Sequence, residues 1–251
     1  MRISIVTLFP DFFTSPLGAG LIHRARAQGL VEFRFANPRD WSRDRHKSVD
    51  DYAYGGGPGM ILRPEPLVEA VENLTGPGNP RQLPVLLLSP QGPTLTQSKA
   101  AALAQLPEVV FVCGRYKGMD ERVRHLVVTE ELSVGDYVLS GGEPACLVVI
   151  DAMVRLLPGA MGDEESAASD SFSPGWNGGL DCAYYTRPAE YRGLQVPEVL
   201  LSGHHARIEA WRRDEATART RERRPDLQEG SGSEGGTAKQ DGAPGEKTPQ
   251  T

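Results

Sequence analysis

Cysteine is scarce in this chain of 251 residues: only Cys113, Cys146 and Cys182, far apart and with no Cys-x-x-Cys pair. That excludes a disulfide-stapled scaffold and gives no thiolate metal site. It fits reduced thiols and a cytoplasmic location. No run approaches the ~18 apolar residues of a membrane span. The opening "MRISIVTLFPDFF" is apolar for only a few residues before Pro10 and Asp11 interrupt it, which is too short for a signal segment. Excess positive charge is also missing. The formal net charge is −6, so any polyanion must be met by a local patch and not by the whole molecule. Neither a dinucleotide-binding Gly-x-Gly-x-x-Gly after a strand nor a Gly-Lys-Ser/Thr phosphate loop is present; "YGGGPGM" (54–60) has the wrong spacing and carries Pro58.

What is present is an ordinary globular composition, 39% hydrophobic and 24% charged. Short β-branched runs alternate with helical patterns. Strands are expected at 3–9, 31–37, 84–89 and 108–114. Helices are expected at 17–29, 64–74, 96–106, 119–127 and 143–159. The alternation predicts an α/β domain with a mostly parallel sheet over residues 1–160. A small, polar, glycine-rich stretch, 161–176, reads as a linker. Residues 177–227 read as a small helical domain, with seven arginines against four acids between Arg207 and Arg224. The last 24 residues, 228–251, hold six glycines and no aromatic or branched aliphatic side chain, and read as a disordered tail.

Three glycine-bearing loops follow apolar strands: "SPQGP" (89–93), "CGRYKGMDER" (113–122) and "GDYVLSGGEP" (135–144). Ligands in open α/β sheets settle beyond the carboxyl ends of the strands. A pocket lined by main-chain groups there suits a nucleoside. Adjacent Gly141 and Gly142 imply that something approaches their backbone, either a ligand or another piece of chain. Arg155, on an otherwise apolar helix, has three readings: it snorkels, it pairs with an acid such as Asp151, or it aims at a polar ligand. Asp170, in a serine-rich stretch, reads on composition alone as a solvated turn residue. His204 and His205 are adjacent, a poor spacing for one metal ion, and no metal site is expected. The loop 38–60, rich in Arg, Asp and Gly and carrying His46, is long enough to be functional.

These stretches in order resemble the bacterial tRNA (guanine-N1)-methyltransferases of the TrmD type, within the trefoil-knot RNA methyltransferases. The resemblance rests on "LFPDFF" (8–13), "VDDYAYGGGPGM" (49–60), "LSPQGPTLTQ" (88–97), "CGRYKGMDERV" (113–123), "SVGDYVLSGGEPA" (133–145), "DSFSPG" (170–175), "LDCAYYTRP" (180–188) and "VPEVLLSGHHARIEAWR" (196–212). It implies a deep trefoil knot in the sheet. It also implies bent S-adenosylmethionine in the knot loops and a homodimer with a composite site. The reaction would be methylation of N1 of guanosine 37 in tRNA, assisted by Mg2+ and supporting reading-frame maintenance. By motif match the cofactor would meet Ser89, Pro90, Gly114, Tyr116, Val134, Gly135, Asp136, Tyr137, Val138, Leu139, Gly141 and Gly142. Asp170 matches the general base and Arg155 the group that stabilises charge on guanine O6. RNA would meet His46, Asp50, Gly56, Gly57, Arg115, His205 and Arg212. Two positions depart from the family: Lys117 stands where Glu is usual, and His204 where Asn is common. The alternatives are a noncatalytic RNA-binding protein that keeps the cofactor pocket, and a related knotted methyltransferase with another RNA target.

Overall fold

The computed structural model describes residues 1–76, 83–162 and 169–229. The chain divides into two compact units, Met1–Ala167 and Ala168–Thr251.

The first unit is built on a five-stranded sheet in the order β2-β1-β6-β5-β7, with every neighbouring pair parallel. The strands are β1 (Arg2–Val6), β2 (Glu32–Ala36), β5 (Val85–Leu88), β6 (Glu108–Cys113) and β7 (Glu130–Leu132). Both faces are covered, so the central strands are largely apolar and their side chains alternate between two cores. Ile3, Ile5, Leu86, Leu88, Val109 and Phe111 join one core. It is closed by α2 (Gly20–Ala27), α4 (Gln97–Ala104) and α6 (Glu143–Val154), with α1 (Thr14–Leu17) at its edge. Val6, Val85, Leu87, Val110 and Val112 face the other core, under α3 (Pro64–Thr75) and α5 (Glu121–Val127).

Local chemistry sets the helix ends. Thr96 accepts the Lys99 N–H at 3.2 Å at the start of α4, and Asp120 accepts the Arg122 N–H at 3.0 Å before α5. The helix expected over 143–159 stops at Val154. Pro158 has no N–H to give the Val154 carbonyl, and its ring crowds that carbonyl. The expected long loop 38–60 is broken into elements. Pro38–Trp41 forms a 3-10 turn, and β3 (Asp50–Tyr52) pairs antiparallel with β4 (Met60–Leu62), with Gly55, Gly56 and Gly57 between them at positive φ.

The second unit holds a two-stranded hairpin, β8 (Glu190–Tyr191) with β9 (Leu194–Gln195), and helices Glu198–Leu201, His205–Arg223 and Asp226–Glu229. The helical pattern of 197–227 is therefore interrupted, first at Gly203 with φ of 71° and again before Pro225. This unit takes in residues 169–176, which the sequence reading placed in a linker; Ser173 is buried there. Of the expected linker, 163–168 lie outside the described residues, as does the expected tail from 230 onward. Among the described residues no helix is long and apolar enough to cross a membrane.

Candidate active site

Parallel strands put the loops after β5, β6 and β7 at one end of the sheet. Hydrogen bonds tie them together: Ser89 N–H to Leu132 O at 3.0 Å, Leu95 N–H to Ser133 O at 2.8 Å, and Gly142 N–H to Gly114 O at 2.8 Å. Between them lies a cleft. Of the twelve residues expected to meet a cofactor, eleven line it: Ser89, Pro90, Gly114, Tyr116, Val134, Gly135, Tyr137, Val138, Leu139, Gly141 and Gly142. The twelfth, Asp136, is exposed and does not line it. The stretch 134–142 is loop and not strand, because β7 ends at Leu132. Ser133 and Gly135 close a turn through the serine hydroxyl, which accepts the Gly135 N–H at 3.1 Å and donates to its carbonyl at 3.1 Å. Tyr137 folds back to donate its hydroxyl to Val134 O at 3.1 Å. Next to it Val138 is 90% exposed, an apolar side chain left open to a ligand face.

The adjacent glycines answer to the chain itself. A Cβ on Gly142 would come 2.8 Å from Cys113 Cα and 3.0 Å from Gly114 N. On Gly141 it would collide with the Arg115 side chain. Of the two readings of this glycine pair, the structure supplies the second: the crowding atoms are protein. Both still present main-chain groups to the cleft.

Arg115, expected to contact RNA, is engaged inside the fold. Its Nε lies 2.9 Å from Glu143 Oε2 as a close charge contact and not an aligned hydrogen bond. Nη1 donates to Ser140 O at 3.3 Å, and the guanidinium stacks over the Phe9 ring at 4.5 Å. Sequence reasoning missed Glu143. It is fully buried, at the first turn of α6, where it complements the helix dipole and accepts the Thr7 hydroxyl at 2.7 Å. Arg124 also lines the cleft and is paired with Glu131 at 3.0 Å. Lys117, the third cation of the lining, has no acidic partner among the described residues. Tyr116 sits at φ of 59°, a strained backbone for a tyrosine. Burial first, then the Asp50 carboxylate, push its phenol above the ordinary range.

The remaining expected residues are spread over both units. His46 lies in an exposed turn whose hub is Asp44; the Asp44 carboxylate accepts the N–H of His46 at 2.7 Å and of Ser48 at 3.1 Å. Asp50 begins β3, and Gly56 and Gly57 form the hairpin tip. Arg155 caps α6, and its Nη2 reaches Met161 Sδ at 3.9 Å. Arg155 also lines a shallow groove with Gln97, Leu147, Val148, Asp151 and Ala152. In the second unit Asp170 is half-buried in a tight turn; its carbonyl accepts the Ser173 N–H at 3.2 Å, and Phe172 next to it has φ of 66°. His205 and Arg212 lie on the helix His205–Arg223. Among the described residues no three His, Cys, Asp or Glu side chains gather to hold a metal ion.

The family described as tRNA (Guanine-1)-methyltransferase TrmD matches residues 1–230. The tRNA (guanine-N(1)-)-methyltransferase of Brevibacillus brevis is 55% identical over 229 residues, 91% of this chain and 92% of the relative. Those of Shouchella clausii and Halalkalibacterium halodurans are each 51% identical, over 230 and 232 residues, with 92% of both chains covered in each case.

Proposed function

The chain belongs to the tRNA (guanine-1)-methyltransferase TrmD family, and from that premise we propose that it moves a methyl group from S-adenosylmethionine to N1 of guanosine 37 in tRNA. One observation carries this reading: the cleft at the carboxyl ends of β5, β6 and β7, with its main-chain lining and its open apolar lip. A nucleoside has polar edges and apolar faces. The glycine-rich wall offers donors and acceptors to the edge, and Tyr137, Val138 and Leu139 offer cover to the face. When bound there, S-adenosylmethionine supplies an electrophilic methyl group. Lys117 suits an anionic oxygen, either a carboxylate or an RNA phosphate.

The protein's own share of the chemistry is proton and charge handling. Guanine N1 carries a proton and is a poor nucleophile until it leaves. Asp170 takes that proton as general base. Negative charge then grows on guanine O6, where the Arg155 guanidinium stabilises it. Residues 177–227 serve the tRNA, with His205 and Arg212 on phosphates, whose contacts position without reading sequence. His46, Asp50, Gly56 and Gly57 meet the unstacked anticodon-loop bases. Magnesium assists the reaction.

Two further features belong to this reading. The loops thread as the family's trefoil knot; the tight passage of Gly92 against the Glu131–Leu132 backbone supports it. The protein works in the cytoplasm as a homodimer with a composite site, supported by the open groove on α6 around the half-exposed Val148. The test is incubation with labelled S-adenosylmethionine and an unmodified tRNA transcript carrying guanosines at 36 and 37, then digestion and mass spectrometry. The expected product is N1-methylguanosine at 37. A methyl elsewhere favours a related knotted enzyme, and binding of both ligands without transfer favours a binding protein.

A further inference from the structure

The motif "LFPDFF" finds no role in methyl transfer, and Glu143 is a fully buried acid with no part in the reaction just described. The two meet at Arg115. Glu143 accepts the Thr7 hydroxyl at 2.7 Å with one oxygen and faces Arg115 Nε at 2.9 Å with the other. Arg115 is pressed between Glu143 and the Phe9 ring, and it donates to Ser140 O in the cleft loop. Three segments remote in sequence, 7–9, 115 and 140–143, converge on one buried carboxylate. A buried ion pair is a poor source of net stability, since apolar residues of equal volume often do as well; its best-attested use is to fix one geometry. Here the geometry fixed is that of the main chain lining the cleft, for Arg115 fills the space against Gly141 that a side chain there would take.

We infer that Glu143 is a positioning residue: through Arg115, backed by Thr7 and Phe9, it braces the loop 134–142 in its ligand-ready form. The inference rests on the reading that this cleft takes S-adenosylmethionine. Its consequence is specific. Loss of the brace weakens cofactor binding and loosens the loop, while the rate at saturating cofactor and the core of the sheet stay close to normal.

The experiment compares wild type, Glu143→Gln, Arg115→Lys and the double variant in the full chain. Three quantities are read: amide hydrogen exchange without ligand, the dissociation constant for S-adenosylmethionine, and methyl-transfer rate at saturating cofactor. Each single variant is expected to weaken cofactor binding about tenfold and to speed exchange in peptides covering 134–142 by a similar factor. Peptides of β1, β5 and β6 should be unchanged, and the saturated rate should stay within about threefold of wild type. The double variant should be no worse than about twofold beyond the weaker single, because both break the same contact. Uniformly faster exchange across the sheet, additive losses in the double variant, or unchanged loop exchange would each overturn the inference. So would a fallen saturated rate with intact affinity. If Glu143→Gln does not fold, Thr7→Val, which removes one link, should give the same loop-confined pattern at about threefold and is judged by the same criteria. If wild type binds no S-adenosylmethionine, the proposed function fails, and the ligand-free exchange still decides the brace.

Discussion

The two units of this protein hold their shapes by different means. In the first, two apolar cores flank a parallel sheet, and Ile3, Ile5, Val85, Val110 and Phe111 are wholly removed from water. Among the described residues of the second, the buried apolar set is Cys182 and Ala216, and polar contacts do the rest. Thr220 accepts the Leu180 N–H at 2.9 Å and donates to Ala216 O at 2.8 Å; Glu215 accepts the Ala183 N–H at 2.8 Å. Large apolar side chains such as Tyr184, Tyr191, Leu194 and Leu201 stay exposed. The difference teaches a division of labour. The first unit shapes its cleft from loops that hydrogen bonds tie together above a well-buried sheet. The second keeps its apolar and cationic groups outward, as suits a surface that meets a large polar partner.

The sharpest way to break that comparison is Asp170→Asn. If the second unit only grips RNA, methyl transfer survives. The expected outcome is a fall of about 10²–10⁴-fold in single-turnover rate with near-normal cofactor binding. Next in size is Gly142→Ala in the first unit. The new methyl group meets Cys113 Cα and Gly114 N, main-chain atoms that cannot swing aside. A loss of about 3 kcal/mol in denaturant unfolding is expected, with weakened cofactor binding. Thr220→Val probes the second unit and should cost about 1–2 kcal/mol, because the Leu180 amide is left without its acceptor. Faster amide exchange should stay within 169–229; its spread to β5 and β6 would refute independent units.

The smallest effect is one of pH and salt. Asp44 is held below the ordinary carboxylate range, first by the Ser48 backbone N–H; Asp226 is held low first by the Arg224 guanidinium. For a depressed carboxylate the stabilisation is present above the unfolded pKa, about 3.9, and is lost as pH falls through the lower folded one. Both turns should therefore loosen only in acid below about pH 4. High salt should move the Asp226 midpoint back towards its ordinary value and leave that of Asp44 largely in place, since a free ion pair is screened more than short backbone hydrogen bonds. NMR titration of the two carboxylates checks both statements.

Much of the first unit was legible because burial on both sides writes continuous apolar runs. "VLLL" and "EVVFVC" became β5 and β6 nearly as expected. β7 was not legible. It is three residues long and two are acids, whose charges are met by Lys99 at 2.6 Å and Arg124 at 3.0 Å, partners that spacing does not reveal. The β3–β4 hairpin hid in a glycine-rich stretch whose Tyr52 faces solvent. In the cleft, the three glycine loops were recognisable as one site, but the reason for the paired glycines was not. Close approach of ligand and close approach of chain leave the same mark in a sequence. Glu143 was missed for a related reason. An acid in the first turn of a helix is usually a solvated dipole partner, and Thr7, which holds it inward, is 136 positions away. An acid directly after a glycine pair was the available signal.

The main-chain lining of the cleft has a bearing on drug resistance. Gly114, Gly118, Gly135, Gly141 and Gly142 contribute only backbone to that wall. At Gly135, Gly141 and Gly142 any side chain collides with protein already there. An inhibitor that drew its hydrogen bonds from these peptide groups would face a target with few viable escape mutations, because a substitution that spoiled its binding would also spoil the pocket.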